Sequence, residues 1–209
     1  KKISMKKKIL INDYAGHPFI TMLSTELAMN NYEVLHSYFA DDKGPKGIMK
    51  SDKVKFIGIK NSKEYSKENF FRRRSGDIEY GAQIGELIEL EKPDIIFSSN
   101  TPVEAQDIIL KSTKKIQSKF VFWCQDFYSV AAKKILSKKL GIIGSIIGQY
   151  YHHLEKKQFK SADHIISITK DFLELFEEFD VNKEKISVIE NWGSIDEIDI
   201  TEKNNPWAK

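Results

Sequence analysis

Four stretches of the sequence carry residue types that could do chemistry. In Phe122-Trp123-Cys124-Gln125-Asp126-Phe127-Tyr128 an apolar run ends in a polar pair followed by aromatics. Beyond the carboxyl end of a strand in an open α/β sheet, Gln125 and Asp126 would be placed to hydrogen-bond sugar hydroxyls or to stabilise developing charge. Ser99 and Asn100 hold the equivalent end of their own apolar run. The turn Asp13-Tyr14-Ala15-Gly16-His17-Pro18 offers a glycine that would let backbone N–H groups approach a phosphate or sugar at a helix N-terminus. Together these strand ends would line one cleft. Plainer alternatives stand beside this reading: a tight turn with no ligand, His17 as a loop residue, Asp126 as a helix cap and Gln125 as the partner of a backbone group. With one glycine in the turn, the three-glycine dinucleotide fingerprint is missing, which disfavours a nicotinamide cofactor.

The third stretch is Arg72-Arg73-Arg74, read as a loop ahead of a helix. Guanidinium forks grip phosphate in bidentate fashion, so a pyrophosphate-bearing acceptor is a candidate partner, with simple surface solvation as the alternative. The fourth is 131–160, where seven lysines face a single acid, Glu155, for a local charge of +6. Between Leu140 and Leu154 no charged residue occurs, while Ile142, Ile143, Ile146, Ile147, Tyr150, Tyr151 and Leu154 recur at helical spacing. About twenty apolar residues are needed to span a bilayer, so this run is too short to cross one. Flanked by Lys133, Lys134, Lys138 and Lys139, it has the make-up of a helix lying in an anionic membrane interface. The alternatives are a long core helix in which Gly141, Gly144 and Gly148 permit close packing, or a nucleic-acid contact, which lacks interleaved base-stacking aromatics.

Bulk composition narrows the field. The 209 residues, 41% hydrophobic, suffice for one sizeable core, and a net charge of +3 argues against a general polyanion binder, so nucleic acid is not an expected partner. A single cysteine, Cys124, rules out an intramolecular disulfide and makes a Cys-rich zinc site implausible; no metal site is expected. The five lysines of the first eight residues are followed by only three apolar residues, Ile9-Leu10-Ile11, so no signal-peptide core is present there. Met5 reads as the native start, which would leave residues 1–4 as an added leader.

The elements that must position these residues are short apolar runs alternating with helical periodicity, the pattern of βα repeats around a mostly parallel sheet covered on both faces. Strands are expected at 7–13, 33–38, 54–59, 94–99, 119–124, 164–169 and 186–190. Helices are expected over Ile20–Met29, Asp77–Leu90 and from Pro102 to about 115, with Pro93 ending the second and Pro102 opening the third.

Several of these segments also match a known pattern. Lys92-Pro93-Asp94 leading into a strand, Trp123-Cys124-Gln125-Asp126-Phe127-Tyr128, Glu155 with Ser161-Ala162-Asp163-His164-Ile165-Ile166-Ser167-Ile168-Thr169, and Ile186-Ser187-Val188-Ile189-Glu190-Asn191-Trp192 occur in order over nearly all of 7–198. In this set the chain resembles the N-terminal, Rossmann-like domain of retaining GT-B glycosyltransferases of family four, especially bacterial members that build capsule, O-antigen or exopolysaccharide.

The resemblance implies that this half binds the acceptor, that a C-terminal half binds a nucleotide sugar as co-substrate, and that no further cofactor is needed. It places residues 5–192 in the acceptor-side domain, with Asn191-Trp192 at the crossover and 193–209 leading toward a donor domain. Many relatives carry histidine where this sequence has Gln125, and an amide cannot act as a general acid, so Gln125 and Asp126 are assigned to binding or positioning, with Asp126 the candidate for a catalytic role. The expected acceptor is a polyprenyl-diphosphate-linked saccharide, met by a cytoplasmic protein held peripherally on the inner face of the membrane. A stand-alone binding or scaffold module and a GT-B-type sugar-nucleotide epimerase are the competing readings.

Overall fold

The computed structural model describes residues 6–44, 46–62, 70–99 and 101–193, with Asn204 and Pro206 beyond them. Seven strands alternate with helices: β1 Lys8–Asp13, α1 Pro18–Met29, β2 Glu33–Phe39, β3 Val54–Ile59, α2 Phe70–Glu91, β4 Ile95–Ser99, α3 Val103–Lys115, β5 Lys119–Cys124, α4 Tyr128–Ser161, β6 His164–Ser167, α5 Phe172–Glu178 and β7 Ile186–Val188. All pairings are parallel, in the order β3-β2-β1-β4-β5-β6-β7. This is the Rossmann-like α/β architecture expected from the sequence.

The two-residue period of a strand sorts its side chains onto opposite faces. On one face Leu10, Leu35, Ile96, Phe120 and Ile165 join α2, α3 and the end of α4 in the larger core. On the other, Ile9, Ile11, Val34, Val54, Trp123 and Ile166 pack with Ile20 of α1. Because both faces are covered, the strands read as continuous apolar runs in the sequence.

Two expectations are corrected. The second helix begins at Phe70, so Arg72-Arg73-Arg74 lie within α2 and not in a loop before it. The segment 131–160 is not one continuous helix: Gly141 has φ 56° and ψ −127°, outside helical space, and breaks α4 into two arms. The arms fold back on each other as a hairpin. A Cβ on Gly144 would lie 1.9 Å from the Leu136 carbonyl oxygen, and one on Gly148 would lie 2.7 Å from Lys133 Cα, so the arms touch backbone to backbone. At its root, Tyr151 and Leu154 pack with Val103, Tyr128 and Ile147. Among the described residues no helix is long and apolar enough to cross a membrane.

Candidate functional site

Chain order reverses in the sheet between β1 and β4, and the residues singled out above gather at the carboxyl ends of the central strands, where ligands of open α/β sheets bind. A buried polar hub holds these ends in place. Asn12, fully buried on β1, donates to Ser98 Oγ at 3.0 Å and Thr101 Oγ1 at 2.8 Å, and accepts from Ser37 Oγ at 3.1 Å and Tyr80 OH at 2.5 Å. One side chain thereby ties β1, β2, β4, the loop after β4 and α2. Each of its bonds replaces a water bond lost on burial.

Beside the hub, a cavity of about 220 Å³ opens at the ends of β4 and β5. Thr101, Gln125 and Asp126 form its floor, Arg73 and Asp77 of α2 one wall, and Tyr128, Glu155 and Gln158 of α4 the other. Asp77 is fixed by the Tyr14 hydroxyl, which donates to Oδ1 at 2.9 Å. Burial pushes the Asp126 carboxyl up from its ordinary value. Gln158 Oε1, in the lining, is buried without a hydrogen-bond partner among the described residues, and Arg73 and Gln125 bring N–H donors to the same cavity. A polar-walled cavity with both bonding senses suits a ligand rich in hydroxyls.

Glu155 is the residue that sequence reasoning did not assign to the site. Its carboxylate accepts from the backbone N–H of Tyr128 at 3.0 Å, from that of Ser129 at 3.2 Å and from Ser129 Oγ at 2.6 Å, capping the start of α4 from near that element's own end. Asp126 therefore does not cap α4, whose N-cap position is Phe127. Burial pushes the Glu155 carboxyl up to about 7, against the opposing pull of these three donors. The signal in the sequence was its being the lone acid in a lysine-rich helix.

The remaining predicted residues divide between the cavity and its surroundings. Gln125 and Asn191 are brought together: Asn191 Nδ2 donates to Gln125 Oε1 at 2.7 Å, with the reverse bond at 3.4 Å. Gly16, at φ 75°, closes the turn after β1 by donating to the Asp13 carbonyl at 3.1 Å. That turn is covered, since a Cβ on Gly16 would lie 2.9 Å from Met49 Cε. His17 opens α1, with Nδ1 3.4 Å from Asp13 Oδ1, and this hydrogen bond is the main reason its pKa is raised. Gly16 and His17 do not line the cavity with Gln125 and Asp126. Ser99 is buried at the end of β4, and Asn100 lies outside the described residues.

Of the arginines, Arg73 lines the cavity, while Arg74 Nε donates to Glu104 Oε1 at 2.9 Å, an acceptor shared with Tyr151 OH. Arg72 does not reach the cavity lining. On the hairpin, Lys133, Lys134, Lys138, Lys139, Ile142, Ile143 and Ile146 are exposed. Ile147 is turned inward against Tyr151 and Leu154, because the fold-back gives that side of the second arm a neighbour, and it cannot share an outward apolar face. Among the described residues no group of three His, Cys, Asp or Glu side chains gathers as a metal would need.

The sequence model of Glycosyltransferase Family 4 matches residues 18–196. No curated protein matches the chain. Among solved structures it is similar to Anabaena Alr3699/HepE in complex with UDP and glucose, at 16% identity over 91% of this chain and 46% of that one, with a TM-score of 0.55. It is also similar to the apo form of the lipopolysaccharide outer core galactosyltransferase WaaB, at 18% identity over 96% and 50%, TM-score 0.52. A third likeness is to sucrose-phosphate synthase of Thermosynechococcus elongatus, at 13% identity over 88% and 48%, TM-score 0.61. At such identities the likeness is one of fold, and the chain spans about half the length of each.

Proposed function

From the premise that the chain belongs to glycosyltransferase family 4, we propose that it is the acceptor-side half of an enzyme that moves a sugar from a nucleotide-sugar donor to a polyprenyl-diphosphate-linked saccharide. The anomeric configuration is retained, and the enzyme works in bacterial surface-polysaccharide synthesis as a peripheral protein on the cytoplasmic face of the membrane. The donor is held mainly by a second domain facing these strand ends.

The observation that carries this reading is the cavity at the ends of β4 and β5, with its carboxylates, amides and aromatic wall. In it Asp126 accepts a hydrogen bond from the acceptor hydroxyl and aims its oxygen at the anomeric carbon of the donor. As the bond between the acceptor oxygen and the anomeric carbon forms, the bond from that carbon to the diphosphate oxygen breaks, the nucleoside diphosphate leaves with the electron pair, and the hydroxyl proton passes to the Asp126 carboxylate. Gln125 and Asn191 exchange their mutual bonds for bonds to sugar hydroxyls. Arg73, on the cavity wall, offers its guanidinium to the acceptor phosphate.

The test uses the protein that carries this chain together with its donor domain. It is incubated with a panel of labelled nucleotide sugars, beginning with UDP-glucose, the ligand held by Anabaena Alr3699/HepE, and with polyprenyl-diphosphate saccharides. Transfer of label to the lipid fraction, reduced at least tenfold by Asp126→Asn, is expected. Epimerised or unchanged donor with no transfer to any acceptor would overturn the reading.

A further inference from the structure

We infer that the tip of the α4 hairpin is a docking element for anionic lipid bilayers, inserting its isoleucines among the acyl chains under a collar of lysines. This rests on the proposed function only in naming the membrane as the surface at which the protein works. The hairpin's two ends differ in kind. Its root is packed on α3 and walls the cavity through Tyr128, Glu155 and Gln158. Its tip carries Leu140, Ile142, Ile143 and Ile146 at 52%, 82%, 67% and 66% exposure, and Ile135, earlier on the first arm, is exposed at 54%. Large apolar side chains clustered in water mark a contact surface.

Charge chooses the occupant. Lys133, Lys134, Lys138 and Lys139 stand exposed on the first arm, and no acid occurs between Asp126 and Glu155. A second copy of the chain would bring the same four lysines to the contact and be repelled. A nucleic acid would answer the lysines and leave the isoleucines in water. An anionic bilayer satisfies both, with acyl chains for the tip and headgroups for the ammonium groups.

The sequence alone pointed to one helix lying flat in the interface; the fold-back at Gly141 changes this to a two-armed tip with apolar residues from both arms. About twelve residues of helix, roughly 18 Å at 1.5 Å per residue, separate Leu140 from Tyr128 at the cavity wall. Docking by the tip therefore sets how far from the lipid surface the cavity is held.

The decisive experiment is cosedimentation of the whole chain with vesicles of phosphatidylcholine alone or mixed equally with phosphatidylglycerol. No donor or acceptor is present, so the result is independent of sugar transfer. The chain is expected to pellet with the anionic vesicles, to be released by high salt, and to stay in solution with the neutral ones. Replacing Ile142, Ile143 and Ile146 together by Ser, or the four lysines by Glu, should each reduce partitioning at least tenfold while the circular dichroism spectrum is unchanged. As a second measurement, Ile143→Trp should show a blue-shifted emission with anionic vesicles, quenched by lipids brominated in the acyl chain. Equal pelleting of the wild type and both variants, no pelleting, an unshifted tryptophan, or self-association abolished by the triple serine variant without lipid binding would each overturn the proposal.

Discussion

Replacing Glu155 by Gln should flatten the pH dependence of stability. In the fold, burial raises this carboxyl to about 7, whereas an unburied glutamate titrates at 4.5. Below 4.5 the group is protonated whether the chain is folded or not. Between 4.5 and about 7 the unfolded chain gives up its proton while the folded chain retains it, so the folded state binds more protons and stability falls as pH rises. At about 1.4 kcal/mol for each tenfold change in proton affinity, the loss across the window is roughly 3 kcal/mol, complete above pH 7. Glutamine does not titrate, so the variant should lack this component. Urea unfolding followed by tryptophan fluorescence at pH 4.5 and pH 8 would read it. With a slope of about 2–3 kcal/mol per molar urea, the wild-type midpoint should drop by about 1 M more than that of the variant over this interval. Asp126, also raised by burial, is present in both proteins and largely cancels in the comparison. Midpoints that shift in parallel would refute the assignment of a buried, late-titrating carboxyl at the root of the hairpin.

Two further outcomes follow from the same geometry. Gly144→Ala would set a methyl group 1.9 Å from the Leu136 carbonyl oxygen, a clash with backbone that only separation of the arms relieves. A loss of about 1–3 kcal/mol in urea unfolding and earlier proteolytic cleavage within 136–144 are expected, and unchanged stability would show that the arms do not touch there. His17 should titrate above 6.5 because its ring is bonded to Asp13, and Asp13→Asn should bring it down toward that value. Its bonded, charged form stabilises the fold at low pH, and that contribution is lost as pH rises through the raised pKa. An NMR titration of the imidazole with no difference between the two proteins would remove the Asp13–His17 pair from the account.

The sheet was legible because its physics is local. Ile9-Leu10-Ile11 and Ile95-Ile96-Phe97 are buried on both faces or nearly so, and such runs have no amphipathic alternative. Pro93 and Pro102 marked their boundaries correctly, the second standing immediately before α3. The start of α2 was less legible, since Arg72-Arg73-Arg74-Ser75-Gly76 carries no apolar stripe and includes a residue that disfavours helix. Gln125 and Asn191 were each singled out for ligands, but nothing in the sequence showed them bonded to one another across 66 positions. The Asn12 hub is illegible for the same reason, as its partners Ser37, Tyr80 and the Ser98–Thr101 stretch come from three separate segments.

The hairpin shows most clearly where sequence reasoning stops. Gly141, Gly144 and Gly148 are spaced three and four apart, which in a continuous helix would place them on one face as a close-packing stripe. Two of them do serve close packing, yet the helix they face is the first arm of their own element, because Gly141 has left helical space. In a straight helix, Glu155 would lie about 40 Å from Tyr128 at 1.5 Å per residue. Instead the two are joined by a 3.0 Å hydrogen bond across 27 residues. The cap on α4, the wall of the cavity and the exposed tip thus share one cause, the reversal at a residue where an added Cβ would meet open space. Since an added Cβ there would meet open space, Gly141 is needed for its positive φ and not for packing, and the spacing of the three glycines does not tell which of them adopts it.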